Sequence, residues 1–226
     1  MLVIADDFTG ANDTGVLFTQ NNTTVDIALN WQQPISLQSD VVVVNTDSRA
    51  VSKIEAGLRV RQVICQYHTE NNHIYKKVDS TLRGNIGSEL AALLTYTEFQ
   101  AIFFCAALPQ AGRTVHNGIG YVNNVPLLQT EFATDPKTPI LSSKVAEIIA
   151  KQTALSVIEI HVEQLHSETL LSEINQIIAA HPKSIICFDA RNEQGLHRIA
   201  QIPVITKAGG FGSLNVLEKV IDFIRN

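Results

Sequence analysis

The hydrophobic positions of this chain fall into short runs set between longer amphipathic stretches. The runs are LVIA (2–5), VDIAL (25–29), VVVVN (41–45), IYKKV (74–78), AIFFCA (101–106), LSVIEI (155–160), SIICFD (184–189) and PVITK (203–207). Most are rich in Val and Ile and of strand length, which predicts buried β-strands. Residues 52–66, 87–95, 142–151, 165–180 and 213–225 carry apolar positions at helical spacing, and 11–20 can follow the first strand as a helix. Pro and Gly are concentrated in 107–139, which reads as irregular. Alternation of strand and helix predicts an α/β fold with a mainly parallel sheet flanked by helices. There is no internal repeat, low-complexity tract or flexible linker.

Open parallel sheets bind ligands beyond the carboxyl ends of their strands. The polar residues follow that rule. DDFTGAND comes after LVIA, TDSR after VVVVN, DSTLRGN after the 74–78 run, and ALPQAGRT after AIFFCA. Asp189-Ala190-Arg191 and Lys207-Ala208-Gly209-Gly210 follow two further runs. Several strand ends therefore deliver acids, hydroxyls and cations to one rim.

Each of these stretches has a structural reading beside a functional one. In DSTLRGN, Asp79 and Ser80 leave the strand, Gly84 loosens the backbone, and a helix is expected to start near Asn85 or Ile86. Free N–H groups there suit an anion, and Arg83 is a planar donor for carboxylate or phosphate. A helix cap with a surface arginine accounts for the same residues. Asp47 and Arg49 in TDSR repeat the pattern, and Arg113 beside Gly112 adds a third arginine. Three arginines at neighbouring strand ends suit a small polyhydroxy acid: a cation for the carboxylate, and Asp, Asn, Ser and Thr for the hydroxyls. At the start of the chain, Asp7 or Thr9 can cap a helix, or one of Asp6 and Asp7 can orient a reacting hydroxyl or take its proton. Neighbours in extended chain point to opposite sides, so the two aspartates are not expected to face a ligand alike. KAGGFGS (207–213) is a glycine-rich turn that matches neither common nucleotide fingerprint.

Composition narrows the classes. Of the 226 residues, 45% are hydrophobic, enough for a sizeable core, and the net charge is −5, which argues against a nucleic-acid surface. The three cysteines are far apart, without disulfide or metal spacing, and read as core filler in a reduced, cytoplasmic protein. The seven histidines form no metal-ligand pattern, so no metal site is expected from spacing; His116, in the glycine-rich loop, is expected at the surface, with contact to a ligand as the alternative. No run is long enough for a membrane span, and an acid at position 6 argues against a secretory leader. Ser80 lacks a G-x-S-x-G context, so no hydrolase elbow is expected.

Together, ADDFTGANDTG (5–15), NTDSR (45–49), KKVDSTLRGNIGSEL (76–90), PQAGRTVHNGIGYVNNVPLLQTEFATDP (109–136) and TKAGGFGS (206–213) resemble the four-carbon acid sugar kinase family. The resemblance implies phosphorylation of threonate, erythronate or 3-oxo-tetronate at the C4 hydroxyl, with ATP and Mg²⁺. It implies a substrate-binding domain over 1–201, and a strand-turn-helix at 202–226 like the end of the family's nucleotide-binding domain. By motif, Asp6 and Asp7 are the catalytic candidates. Asp47, Arg49, Lys77, Asp79, Ser80, Arg83 and Arg113 are expected to bind substrate, and Gly209 and Gly210 to contact ATP. Replacing Arg83 by alanine is expected to weaken binding of the acid. Family members are normally much longer, and the resemblance implies that most of the nucleotide-binding domain is absent between about Gln201 and Pro203. A deleted gene product, a piece of a longer chain, and a separate protein supplying that domain all remain open. So does a non-catalytic acid-sugar-binding module. The long apolar helices permit a homodimer.

Overall fold

Strand β1 (Leu2–Ala5) is buried at every position and lies between two parallel neighbours, β3 (Val41–Asn45) and β4 (Ile74–Lys77). A strand enclosed on both faces has no solvent side, which is why β1 (LVIA) and the four valines of β3 are apolar without alternation, whereas β4 ends in two lysines. In the computed structural model, which describes residues 1–19, 23–32, 38–69 and 73–202, β2 (Val25–Ala28) completes a four-stranded sheet of order β2-β3-β1-β4. The register aligns Ala5 with Asn45 on one side and Lys77 on the other. The three strands thus end at one level, and Asp6, Thr46 and Val78 leave the sheet side by side.

The parallel strands form two hydrogen-bonded sheets where the sequence suggested one. The second has the order β5-β10-β9, made by β5 (Ala101–Phe104), β9 (Val157–Ile160) and β10 (Ser184–Phe188). Residues 107–139, expected to be irregular, hold a third sheet. Antiparallel β6 (Arg113–His116), β7 (Ile119–Val122) and β8 (Val125–Pro126) turn at Asn117-Gly118 and Asn123-Asn124, all four with positive φ. Two-residue loops of that conformation match the twist of paired strands, and Asn and Gly are the residues that tolerate it. His116, expected at the surface, is partly buried on β6 with Nδ1 enclosed.

Helix α1 (Phe8–Thr19) starts three residues before the expected 11–20, because Asp7 caps it: Asp7 Oδ1 accepts from Gly10 N at 2.9 Å. Helix α2 (Lys53–Tyr67) follows an Ser52 cap and packs on α3 (Ile86–Tyr96), whose start agrees with the sequence. Helix α4 (Val145–Ala150) is shorter than expected, since Ser142 Oγ accepts from Lys144 N and holds the entering chain. The expected 165–180 helix is two pieces, α5 (Val162–Leu165) and α6 (Leu170–Ala180). Between them Ser167 Oγ takes the Thr169 N–H, the local competition that makes serine a helix breaker. Helix α7 (Glu193–Ala200) is capped by Asn192. Cys105 and Cys187 are core residues, but Cys65 is exposed, off the buried α2 stripe of Ala56, Val60, Val63, Ile64 and Tyr67. The expected strand 203–207 and helix 213–225 lie outside the described residues. No helix among the described residues is long and apolar enough to cross a membrane.

Candidate functional site

Beyond the ends of β1 and β3, two aspartates and one arginine form a closed unit. Arg49 Nε and Nη2 donate to the two oxygens of Asp6 at 2.7 and 3.0 Å, and Nη1 donates to Asp7 Oδ2 at 2.8 Å. Burial disfavours the Arg49 charge, but the bonds and fields of Asp6, with Asp79 and Asp7, hold its pKa above the ordinary value. The loop carrying Arg49 is fixed from below. Ser48 N and Arg49 N both donate to the Asp6 carbonyl, at 2.9 and 3.1 Å. Asn85 Nδ2 donates to the carbonyls of Ser48 and Val51 at 2.9 Å each. Deeper still, Ser48 Oγ donates to Glu89, which forms a fully buried ion pair with Lys76 at 2.8 Å. Burial pushes the Glu89 carboxyl up, against the opposing pull of Lys76.

A second acid–arginine unit stands at the end of β4. Arg83 Nε donates to Asp79 Oδ2 at 2.7 Å and Nη1 to Asp135 Oδ2 at 3.0 Å, with the guanidinium 5.2 Å from the centre of the Phe132 ring. Burial raises the Asp79 pKa, but hydrogen bonds from Arg83 and Thr81 and the charges of Arg49 and Arg83 outweigh it, and the net shift is downward. The backbone N–H groups of Thr138 and Lys137, with Arg83, hold Asp135 down to about 2. This unit fastens the 109–139 segment to the parallel sheet.

Two cations are held differently. Arg113 Nη1 donates to Ser80 Oγ at 3.0 Å, and its Nε is buried with no partner. Lys77 Nζ donates to the Val78 carbonyl at 3.0 Å. Burial lowers the Lys77 pKa, although Asp6, Asp7 and Asp79 pull the other way.

These groups border one cleft of about 550 Å³. Asp7, Arg49, Lys77, Asp79, Ser80, Arg83 and Arg113 all line it, so seven of the sequence candidates converge there. Leu17, Leu108 and Leu196 give it an apolar side, and Asp13, Gln110 and Glu193 add polar groups. Gly10 also lines it, and a Cβ there would lie 2.6 Å from Asp7 Oδ1. Chemically, the cleft offers cations for an anionic group and hydrogen-bonding partners for several hydroxyls around a small molecule. Among the described residues, no group of three or more His, Cys, Asp or Glu side chains is placed to hold a metal ion.

A family model described as a sugar-binding N-terminal domain matches residues 1–213. The chain is 40% identical to a D-threonate kinase of Salmonella typhimurium over 222 residues, covering 94% of this chain and 52% of that protein. It is 36% identical to a D-erythronate kinase of Heliobacterium modesticaldum, covering 88% of this chain and 47% of that protein. The chain belongs to the four-carbon acid sugar kinase family. It matches that family's N-terminal sugar-binding domain, and it spans about half the length of the curated relatives it matches. Among solved structures, a Haemophilus influenzae protein superposes with a TM-score of 0.82 at 23% identity, covering 99% of this chain and 56% of that one. A Bordetella bronchiseptica domain, described with bound citrate and as a domain-swapped dimer, superposes with a TM-score of 0.78 at 25% identity, covering 97% and 55%.

Within this sugar-binding domain two candidates stand apart from the cleft. Asp6 is 2% exposed, does not line the cleft, and is bonded to Arg49, which does. Asp47 is exposed with φ 47°, and its carbonyl accepts from Arg59 at 2.6 Å; it does not line the cleft. Gly209 and Gly210 lie outside the described residues. Sequence reasoning missed Asp135, whose TDPKT context is a turn signal, and Glu89, whose place on an apolar helix face marks a buried acid in need of a partner.

Proposed function

We propose that this domain binds a four-carbon sugar acid, of the threonate, erythronate or 3-oxo-tetronate type, in the cleft at the ends of β1, β3 and β4. In this reading it is the substrate half of an ATP- and Mg²⁺-dependent kinase of the cytoplasm that phosphorylates the C4 hydroxyl. The observation that carries it is the convergence of Asp7, Arg49, Lys77, Asp79, Ser80, Arg83 and Arg113 on one cleft, in a chain similar to threonate and erythronate kinases. The citrate of the Bordetella relative is itself a small hydroxy acid, which supports the ligand class.

The roles follow from position. Asp7, on the cleft wall, orients the hydroxyl that is to react. Asp6, behind it, fixes Arg49 and through Arg49 the pose of Asp7. Asp79, whose Oδ2 is taken by Arg83 and Thr81, offers Oδ1 to a sugar hydroxyl. Phosphoryl transfer depends on such positioning and on charge neutralisation around the moving group. Gly209 and Gly210 are proposed for the nucleotide side, with 202–226 as part of it. A separate nucleotide-binding domain and a homodimer are the partners this reading admits.

The test is ADP release by the 226-residue chain with ATP, Mg²⁺ and a panel of D-threonate, D-erythronate and 3-oxo-tetronate. Turnover with one of them establishes the kinase reading and names the substrate. A raised melting temperature without turnover establishes the second reading, a binding half, for a chain that spans about half the length of its relatives. The absence of both responses contradicts the proposal.

A further inference from the structure

The two lysines that close β4 point to opposite faces of the sheet, as neighbours in a strand do. Lys77 faces α1, its Cγ 3.5 Å from where a Cβ on Gly10 would stand, and it lines the cleft. Lys76 faces α3 and is 0% exposed, with Nζ 2.8 Å from Glu89 Oε2, itself 1% exposed. Such a pair is weak ground for stability. Desolvating two charges offsets most of their attraction, and apolar side chains of similar volume often serve as well. The hydrogen bonds around the pair lead elsewhere. Lys76 Nζ also donates to the carbonyl of Lys77 at 2.9 Å. Glu89 takes the hydroxyl of Ser48, one residue before Arg49. The Thr46 hydroxyl bridges Ser48 Oγ and the Ala5 carbonyl, 2.7 Å from each, and Ala5 is one residue before Asp6.

This network reaches the carboxyl ends of β1, β3 and β4, each time beside a residue of the site. On β4 it holds the backbone of Lys77 itself, beyond β3 the neighbour of Arg49, and on β1 the neighbour of Asp6. Thr46, Ser48, Lys76 and Glu89 are 0–1% exposed, and none of them lines the cleft. Burial pushes the Glu89 carboxyl up, Lys76 pulls it down, and the charge of Asp6 pushes it up again, so the buried acid and the acid behind the rim feel each other's field. Above the network, the Arg49 guanidinium meets Asp6 and Asp7 through three bonds of 2.7 to 3.0 Å. A forked contact of that kind tolerates little displacement of its loop.

We propose that Lys76 and Glu89, acting through Ser48 and Thr46, are positioning residues of the cleft: they fix three strand ends so that Asp7, Arg49 and Lys77 hold their binding geometry before a ligand arrives. This rests on the sugar-acid reading of the cleft and goes beyond it, since none of the four reaches the ligand. Contact residues held by a buried layer behind them leave less ordering to be done on binding, which strengthens it. The signature is a separation of affinity from stability. A pair that only tied α3 to the sheet could be replaced by apolar side chains that pack as well, with binding unchanged.

The experiment replaces both charges at once, in the 226-residue chain. Lys76→Met combined with Glu89→Leu leaves no charge buried alone, so the double variant should unfold at a urea concentration close to that of wild type. Calorimetric titration should nonetheless show its affinity for D-threonate reduced about tenfold or more, the scale of one lost hydrogen-bonded contact. Ser48→Ala keeps the ion pair and cuts its link to the Arg49 loop; it should weaken binding about threefold or more. Ile174→Val, in the core contact of α6, is the control: it should lower the urea midpoint and leave affinity unchanged. Wild-type affinity in a folded double variant overturns the inference. Should that variant not fold, wild-type affinity in Ser48→Ala overturns it. Wild-type protein that binds none of D-threonate, D-erythronate and 3-oxo-tetronate overturns the sugar-acid reading, and this inference with it.

Discussion

Gly10 shows how little room the site has at the residue scale. Gly10→Ala would gain about 1 kcal/mol of helix propensity, but the new Cβ would lie 2.6 Å from Asp7 Oδ1 and 3.6 Å from Lys77 Nζ. The expected outcome is a melting temperature close to wild type with about tenfold weaker binding of the sugar acid, a loss of about 1.4 kcal/mol. Unchanged affinity would show that Asp7 can move without consequence. Lys77 gives a pH signature. Burial lowers its pKa, so its ammonium is lost at a lower pH than an ordinary lysine's, near about 10.4. Affinity for the acid should hold at neutral pH and fall as the pH rises through that lowered value. Lys77→Met should remove this alkaline limb. The effect on folding has the opposite sign: between the lowered and the ordinary pKa the unfolded chain binds more protons, so this group's contribution favours the folded state as pH rises. Asp79, with its pKa lowered, contributes stability above the ordinary carboxylate range that is lost as pH falls through its lowered value.

At the scale of elements, the alignment of β1, β3 and β4 brings the candidates together, and the Lys76–Glu89 pair ties α3 to that sheet. Glu89→Ala would leave the Lys76 charge buried and unpaired and would free Ser48 beneath the Arg49 loop. It should cost about 3–5 kcal/mol in urea unfolding; a loss under about 1 kcal/mol would contradict the assigned pairing. The strands of the two parallel sheets were legible because apolar runs of Val, Ile and Phe have few alternatives in a buried position. The α5–α6 break was not, because a serine side chain outcompetes the helix over three residues that periodicity averages away. The β6–β7–β8 sheet was missed for a similar reason. Its strands are too short to show alternation, and its signal lay in the Asn-Gly and Asn-Asn turns.

For the molecule as a whole, the rule that ligands sit beyond parallel strand ends points to the rim where the cleft lies. It could not distinguish cations that are free for a ligand from cations already matched by acids. That depends on distances between loops far apart in sequence, such as Arg83 to Asp135 and Arg113 to Ser80. For the same reason Asp47, adjacent in sequence to Ser48 and near Arg49, is turned outward by a positive φ that no motif reveals. The two acid–arginine units and the buried ion pair brace the rim before any ligand arrives, so binding needs little reorganisation of the acids. The measurement that tests this account most directly is a calorimetric titration of D-threonate into the 226-residue chain at neutral pH, with Asp79→Ala alongside. The account predicts saturable binding at one site, reduced at least about tenfold by the substitution. No binding of D-threonate, D-erythronate or 3-oxo-tetronate, or equal binding by wild type and variant, would contradict it.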